Sequence, residues 1–173
     1  QRPQIPEIKF SSNIKLMAAQ QPIVARALEA DGGVIVAPSG SGKTIIGLEI
    51  IAQRKLPALI LVHRKQLLDQ WVERTQSFLG IPKKDIGQYY SVKKKTGEQV
   101  TVAMMQTLVR VNNFMDLQNK FGTIVVDECH HIPAKTFREV ISKLNPKFIY
   151  GLTATPGRKH NDESLIYMFI GDI

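Results

Sequence analysis

A short loop rich in glycine and serine constrains the fold of this chain more than any other segment. Residues 37–44 read Ala-Pro-Ser-Gly-Ser-Gly-Lys-Thr. The apolar run before it, 34–37, predicts a strand, and the pattern after it, 43–54, predicts a helix. A glycine-rich loop between a strand and a helix N-terminus is the context that a phosphate-binding loop requires. The sequence therefore predicts an α/β fold with an anion site after its first strand.

The residue types of this loop suit a nucleotide triphosphate. Gly40 and Gly42 allow the backbone to curl, so that successive N–H groups converge on phosphate oxygens. Lys43 is expected to reach the β- and γ-phosphates, and the Thr44 hydroxyl to coordinate Mg²⁺. The strict pattern begins with Gly where this chain has Ala37, and a solvated loop is the alternative. The predicted nucleotide-binding residues of the loop are Pro38, Ser39, Gly40, Ser41, Gly42, Lys43 and Thr44.

Apolar runs and helical patterns alternate along the rest of the chain. Further strands are predicted at 58–62, 100–104, 123–126 and 148–152, and further helices at 14–30, 65–79, 106–111 and 134–144. This alternation predicts a mostly parallel sheet with helices on both faces. The polar segment 81–97 is expected to carry a small hairpin or surface turn whose tip is the lysine-rich stretch 93–97. The length of 173 residues suits a single domain.

Two adjacent carboxylates, Asp127 and Glu128, follow the apolar strand at 123–126. Ligands of open α/β sheets bind at the carboxyl ends of the strands. We expect Asp127 to hold Mg²⁺ through its water shell and Glu128 to deprotonate the water that attacks the γ-phosphate. A helix N-cap or solvated turn is the alternative for two such acids. With the phosphate loop, they make Lys43, Asp127 and Glu128 the predicted catalytic residues.

Three potential metal ligands, Cys129, His130 and His131, follow the carboxylates. Consecutive residues cannot easily surround one tetrahedral ion, and structural zinc sites use separated pairs of ligands, so we predict no zinc. His130 is expected instead to link the nucleotide site to the next strand by a hydrogen bond. His131 is expected to be an ordinary surface histidine.

Net charge and cysteine content indicate the class of binding partner and the cellular location. The formal net charge of +8 favours a polyanionic partner such as nucleic acid or an anionic membrane surface. A single cysteine cannot form an intramolecular disulfide, which favours an intracellular protein. Because no apolar run approaches the roughly twenty residues that span a bilayer, and residues 1–10 lack the apolar core of a signal peptide, we predict no membrane partner.

The segment 151–156, Gly-Leu-Thr-Ala-Thr-Pro, completes a set of motifs that resembles superfamily 2 helicases. Motif I of that family resembles residues 37–44, motif II resembles 127–130, and motif III resembles 153–155. The resemblance implies a RecA-like fold that uses ATP and Mg²⁺. It also implies that Thr153 and Thr155, with His130, couple the γ-phosphate to movement of the protein.

The segment 61–71 is similar to motif Ia in the branch that contains the type III restriction-enzyme Res subunit and the XPB repair translocase. This similarity implies that Arg64 contacts nucleic-acid phosphate. Residues 105–107 resemble a strand-tracking motif of the branch, with Thr107 as the contact. Gln20 aligns with a glutamine that binds adenine, although Met17 and Ala19 stand where relatives commonly have an arginine and an aromatic residue.

The family resemblance implies an ATP-dependent helicase or translocase whose partner is nucleic acid, with DNA favoured over RNA. In the family, motifs IV to VI belong to a second RecA-like lobe that supplies arginine fingers, and residues 1–173 show no such motifs. The sequence is therefore interpreted as one ATP-binding lobe. Because an arginine finger contributes several orders of magnitude to turnover, the lobe alone is expected to be slow or inactive.

Alternatives to this interpretation come from different functional classes. The phosphate loop and acidic box also suit another type of P-loop ATPase, or a non-catalytic module that docks nucleotide or nucleic acid. The lysines at 93–95 could bind phosphates, but a solvated turn is favoured. Trp71 and Tyr89 could stack on bases, although the helical spacing of Trp71 favours a place in the core.

Overall fold

The computed structural model describes residues 4–37 and 42–154. Its elements in chain order are α1 Gln21–Leu28, β1 Gly32–Val36, α2 Lys43–Arg54, β2 Ala58–Val62, α3 Lys65–Leu79, a 3-10 turn Lys83–Asp85, β3 Gly87–Tyr90, β4 Lys93–Lys95, β5 Val100–Met104, α4 Met105–Leu108, β6 Thr123–Asp127, a 3-10 turn Cys129–His131, α5 Ala134–Leu144 and β7 Phe148–Thr153. None of these described helices has the length and apolar content needed to cross a bilayer.

The described strands form one seven-stranded sheet in the order β1-β7-β6-β2-β5-β3-β4. Only β3 and β4 pair antiparallel, and every other neighbouring pair is parallel. The predicted mostly parallel α/β sheet is therefore confirmed. Because the parallel strands share one direction, the residues that follow β1, β2, β5, β6 and β7 all lie at the same edge of the sheet.

Helices cover both faces of the sheet, as the sequence predicted. Side chains along the central strand β2 alternate between two apolar clusters. Leu59 and Leu61 pack in the cluster that contains Phe137 of α5, whereas Ile60 packs with Trp71 of α3 on the opposite face. All five residues of β2 are buried, as expected for a central parallel strand.

The first helix is shorter than the predicted 14–30, because α1 begins only at Gln21. Pro22 lies in its first turn, where a residue without a backbone N–H is tolerated. Leu16 nevertheless packs against the same apolar cluster as α1. Its apolar side chain fits the helical spacing, which explains why the predicted helix began too early. At the other end, the Arg54 guanidinium donates hydrogen bonds to the carbonyls of Ala27, Leu28 and Ala30. These bonds fix α1 against α2.

The lysine-rich segment forms a strand, and its prediction as a hairpin tip was wrong. The chain reverses earlier, at residues 91–92, and Tyr90 pairs with Lys93. Ser91 adopts the left-handed conformation that such a turn needs, with φ 52°. The preceding strand β3 was missed because four residues carry little periodicity, and its pairing with the buried β5 is a long-range effect. The short helix α4 also ends earlier than the predicted 106–111.

Candidate functional site

Two of the predicted catalytic side chains meet at the carboxyl edge of the sheet. Lys43 is the first residue of α2, Asp127 is the last residue of β6, and Lys43 Nζ lies 3.1 Å from Asp127 Oδ1. The Asp127 side chain is only 2 % exposed, so Lys43 supplies the cation that a buried carboxylate requires. Thr44 follows Lys43 in the first turn of α2 and is half-buried. Pro38, Ser39, Gly40 and Ser41 lie outside the described residues.

The second oxygen of Asp127 is fixed by Trp71, a residue for which the sequence favoured a place in the core over base stacking. Trp71 is fully buried, and its Nε1–H donates a 2.8 Å hydrogen bond to Asp127 Oδ2. A buried indole N–H normally has a hydrogen-bond acceptor. The sequence therefore indicated that a buried Trp71 needs a polar partner, but not which one. Within the described chain, Asp127 Oδ1 has no well-aligned hydrogen bond despite its closeness to Lys43. An oriented carboxylate with one available oxygen fits a hydrated divalent cation.

Glu128 turns away from Asp127 toward the end of β2. Its backbone is left-handed, with φ 49° and ψ 49°, a strained conformation that clusters at functional sites. Glu128 Oε2 lies 3.4 Å from His63 Nε2 and 3.7 Å from Arg64 Nη2. Burial lowers the pKa of His63, although the nearby Glu128 carboxylate opposes this shift. His63 is therefore neutral near pH 7, and Arg64 is the cation beside Glu128.

The hydrogen bond expected from His130 to the next strand is present. His130 Nδ1 and Thr153 Oγ1 are 2.9 Å apart, which joins the residues after β6 to the end of β7. The Thr153 carbonyl also accepts a 2.9 Å hydrogen bond from the N–H of Ala37, where the phosphate loop begins. Thr153 thus connects the phosphate loop to the acidic segment. Thr155 lies outside the described residues.

Gln20 is buried against the last glycine of the phosphate loop. Its Oε1 accepts a 2.9 Å hydrogen bond from the N–H of Met17. A Cβ added to Gly42 would overlap Gln20 Nε2, and the φ of Gly42 is +79°. Both observations explain why this position holds glycine. Gln20 therefore lies next to the predicted phosphate site.

Thr107 is half-buried at the same edge of the sheet, two strands from Asp127. Its hydroxyl oxygen accepts a 3.3 Å hydrogen bond from the N–H of Ser91 in the β3–β4 turn. The neighbouring Gln106 donates a 2.7 Å hydrogen bond to the carbonyl of His63. The segments that carry the predicted nucleic-acid contacts Arg64 and Thr107 are thus tied together. Tyr89, an alternative base-stacking residue, is buried.

Comparison with known proteins identifies the family. Residues 13–158 match the family described as "Type III restriction enzyme, res subunit". The chain belongs to this family. The protein Rad25 of Haloarcula marismortui, provisionally named a DNA 3'-5' helicase, is 36 % identical over 166 residues, which cover 95 % of this chain and 26 % of Rad25.

Two further comparisons place the Res-family chain among longer proteins. Protein L396 of Acanthamoeba polyphaga mimivirus, provisionally named an ATP-dependent RNA helicase, is 34 % identical over 145 residues, or 84 % of this chain and 28 % of L396. The crystal structure of the UvsW helicase from bacteriophage T4 matches with a TM-score of 0.74 and 22 % identity, over 94 % of this chain and 61 % of UvsW. The Res-family chain spans about a quarter of the length of these curated relatives.

A possible metal-binding group in this Res-family chain differs from the run considered in the sequence. His63, Glu128 and His131 each offer one ligand atom, and these atoms lie within 4.8 Å of one another. Zinc bonds of about 2.0–2.2 Å need ligand atoms only about 3.4 Å apart. The Arg64 guanidinium beside the same Glu128 oxygen also opposes a cation. The absence of zinc stays a prediction, now for an electrostatic reason.

The Trp71–Asp127 hydrogen bond is expected to couple the two residues energetically. We expect a double-mutant cycle of Trp71→Phe and Asp127→Ala, followed by urea unfolding, to give a coupling free energy of about 1.5–3 kcal/mol, since the acceptor is a buried carboxylate. The packing free energy lost when phenylalanine replaces the larger tryptophan ring is the same with and without Asp127, so it cancels in the cycle. A coupling energy below about 0.5 kcal/mol would mean that the bond does not hold Asp127.

The contact between Gly42 and Gln20 predicts a selective loss of nucleotide binding. Gly42→Ala is expected to weaken ATP binding at least about tenfold, since the left-handed backbone costs about 1–2 kcal/mol and the new methyl group displaces Gln20. Isothermal titration calorimetry measures the effect. Gly80→Ala is the matched control, because Gly80 has a φ of +64°, a Cβ there would make only an ordinary contact with the Ser11 carbonyl oxygen, and it lies at the end of α3. Equal ATP affinity in both variants would contradict the prediction.

Proposed function

We propose that this chain is the ATP-binding lobe of a helicase or translocase that couples Mg²⁺-ATP hydrolysis to movement on nucleic acid. The observation that carries the proposal is the ion pair of Lys43 with Asp127 at the carboxyl edge of the sheet, with Glu128 next in sequence and Arg64 beside it. Membership of the Res-subunit family and the names of Rad25 and L396 support it. The match covers only 26 % of Rad25 and 28 % of L396, which leaves room in such proteins for the second RecA-like lobe that we propose outside residues 1–173.

In the proposed mechanism, each residue acts on a different part of the triphosphate. Lys43 exchanges its contact with Asp127 for the β- and γ-phosphates, and the N-terminus of α2 adds its partial positive charge. Asp127 and the Thr44 hydroxyl would hold Mg²⁺, which supplies charge neutralisation when bound. Glu128 accepts the proton of the attacking water. Gln20, whose side-chain amide packs against Gly42, contacts the nucleotide.

The contact between Glu128 and Arg64 supports a link between nucleic-acid binding and hydrolysis. A backbone phosphate that binds Arg64 competes with Glu128 for the same guanidinium. Glu128 is then released to accept a proton from water at the γ-phosphate. His130 and Thr153, which are joined by a hydrogen bond, transmit the state of the γ-phosphate to the rest of the lobe, and Thr155 is proposed to act with them.

This link predicts the behaviour of Arg64→Ala in the complete protein. Turnover without nucleic acid is expected to rise by at most about fivefold, because a half-exposed ion pair contributes only about 0.2–1 kcal/mol. Stimulation by nucleic acid is expected to fall. Arg138→Ala, which removes an exposed arginine from α5, is the control for lost charge. An unchanged basal rate together with lost stimulation would leave Arg64 with a binding role only.

DNA is the proposed track in preference to RNA. Rad25, named for DNA, is more similar and aligns over more of this chain than L396, named for RNA. The net charge of +8 is consistent with either polyanion. An intracellular location is also proposed, and the single cysteine, which is buried, supports it.

The decisive test is ATPase turnover of the complete protein with duplex DNA, single-stranded DNA and RNA, each against a sample without nucleic acid. Strong stimulation by one of them would establish a nucleic-acid motor and identify its track. Nucleic-acid binding without turnover would instead support a docking module. Turnover that no nucleic acid changes would favour another type of P-loop ATPase.

A further inference from the structure

The β3–β4 hairpin brings a group of lysines to the outer edge of the sheet, next to Arg64. We propose that this hairpin is a binding surface for the sugar-phosphate backbone of nucleic acid, with Lys93 and Lys94 as phosphate contacts and Tyr90 at its centre. The inference rests on the proposed function, since the same nucleic acid would pass along Arg64. It also replaces the favoured sequence interpretation of these lysines as a solvated turn.

Tyr90 lies between two cations from different elements. Lys65 Nζ, at the start of α3, is 4.4 Å from the centroid of the Tyr90 ring, and Lys93 Nζ, on β4, is 5.9 Å from it. Cation–π contacts of this kind hold flexible lysine side chains in place. Lys65 follows Arg64 directly in sequence. Lys65 also pairs with Asp69, and Arg64 lies beside Glu128. The cations between the end of β2 and the hairpin are therefore partly neutralised, and the hairpin lysines carry most of the free charge.

Hydrogen bonds hold the hairpin against the segments that the family resemblance assigns to nucleic acid. The Ser91 N–H at the hairpin turn donates to Thr107 Oγ1, and Gln106 donates to the carbonyl of His63. The turn, the residues after β5 and the residues after β2 thus form one continuous surface. A phosphate contact at Arg64 would bring the strand toward this turn.

The dimensions of this surface suit a nucleic-acid strand. Strands β2, β5, β3 and β4 are consecutive neighbours in the sheet. Three spacings of about 4.8 Å separate β2 from β4 by about 14 Å. One DNA strand advances about 3.4 Å per nucleotide, so the distance corresponds to about four nucleotides. Arg64 and the hairpin lysines can therefore contact different phosphates of one strand.

The charge of the hairpin region is strongly positive. Residues 81–99 contain five lysines and two acidic residues, Asp85 and Glu98. Lys93, Lys94 and Lys95 are all exposed. The Lys95 ammonium donates a hydrogen bond to the Lys84 carbonyl, which leaves Lys93 and Lys94 as the principal contacts. Charge complementarity thus favours a polyanion over a neutral or basic partner.

Lysines on an edge strand have another known role, because they prevent other strands from pairing with that edge. This role requires only positive charge on β4. It does not explain why Tyr90 is flanked by lysines from two elements, or why the turn is bonded to Thr107. Continuity with Arg64 therefore favours nucleic acid as the occupant.

The test replaces the three hairpin lysines with glutamine, Lys93→Gln, Lys94→Gln and Lys95→Gln, in the complete protein. Binding of a short fluorescent DNA duplex is measured by anisotropy over a series of salt concentrations. Removal of one phosphate-binding lysine lowers the slope of log association constant against log salt by about 0.9. Lys93 shares the face of Tyr90 and Lys94 the opposite face of this edge strand, so the slope is expected to decrease by about one to two, and affinity to fall by about tenfold at ~0.1 M salt.

A matched control removes the same charge from the opposite edge of the sheet. Residues that precede a parallel strand lie at the amino edge of the sheet. Lys143 and Lys147 precede β7. Lys9 is next to Gln99, the residue before β5, because its carbonyl accepts a hydrogen bond from the Gln99 side chain. All three lysines are exposed. The variant Lys9→Gln, Lys143→Gln and Lys147→Gln is expected to keep the wild-type slope.

The outcomes separate this inference from the proposed function. If the wild type binds no nucleic acid, the proposed function itself fails. If it binds and the hairpin variant keeps the wild-type slope, or loses no more than the control variant, the hairpin surface is overturned while the proposed function stands. Loss of binding to phosphatidylserine vesicles with an unchanged DNA slope would likewise overturn the assignment, in favour of a membrane surface.

Discussion

Replacement of Lys43 by alanine in the complete protein is expected to reduce nucleic-acid-stimulated ATPase turnover by at least about a hundredfold. Lys43 is the only described side chain that forms an ion pair with Asp127, and it is the expected contact of the β- and γ-phosphates. Removing it takes away a positive charge where negative charge develops during phosphoryl transfer. Steady-state phosphate release with saturating nucleic acid measures the loss.

Lys43→Ala is also expected to lower stability, and this loss distinguishes a nucleotide site from a solvated loop. Without nucleotide, the variant leaves the nearly fully buried Asp127 carboxylate without its cation, so the free energy of unfolding is expected to fall by about 1–3 kcal/mol. Lys55→Ala, at the other end of α2, is the control, because Lys55 is exposed. Turnover in Lys43→Ala equal to that in the control would refute the site.

Glu128→Gln is expected to reduce turnover by about a hundred- to ten-thousandfold while ATP still binds. The amide keeps the size of the side chain but cannot accept the proton of the attacking water. Lys43 and Asp127 are unchanged, so the triphosphate site keeps its charges. Single-turnover hydrolysis and a separate measurement of ATP affinity distinguish the two effects.

Glu139→Gln on α5 provides the matched control for Glu128→Gln, because it makes the same chemical change on an exposed surface. It is expected to hydrolyse ATP at the wild-type rate. A Glu128→Gln protein that retains turnover within about threefold of wild type would exclude Glu128 as the proton acceptor. An equal loss of ATP affinity would instead assign Glu128 to binding.

The parts of the site that the sequence predicted depend on local patterns. The glycine-rich loop and the paired carboxylates each follow an apolar run, and the carboxyl ends of parallel strands share one edge. Strand direction therefore predicts that Lys43 and Asp127 lie at the same edge, although 84 residues separate them, and the strand order β1-β7-β6 brings them into contact. The hydrogen bond between His130 and Thr153 follows from the same rule, because β6 and β7 are neighbours.

The parts that the sequence missed depend on side-chain packing between distant elements. Trp71 reaches Asp127 because α3 packs over β2 and β5, and β2 is the neighbour of β6. Helical spacing can indicate burial but not the partner of the indole N–H. Arg64 lies beside Glu128, whose backbone is left-handed. No pattern in the sequence predicts that conformation. The strand β3 required pairing with β5 before its four residues could be assigned.

The hydrogen bond of Trp71 gives this chain an intrinsic optical reporter. Trp71 is the single tryptophan of the 173 residues, and its indole N–H is bonded to the carboxylate expected at the metal. Indole emission depends on the charge and polarity around the ring. If a bound nucleotide draws Lys43 away from Asp127, as proposed, the charge near the indole would change while the ring itself is buried. Fluorescence of this one residue would therefore follow nucleotide arrival and release in real time, without an attached dye.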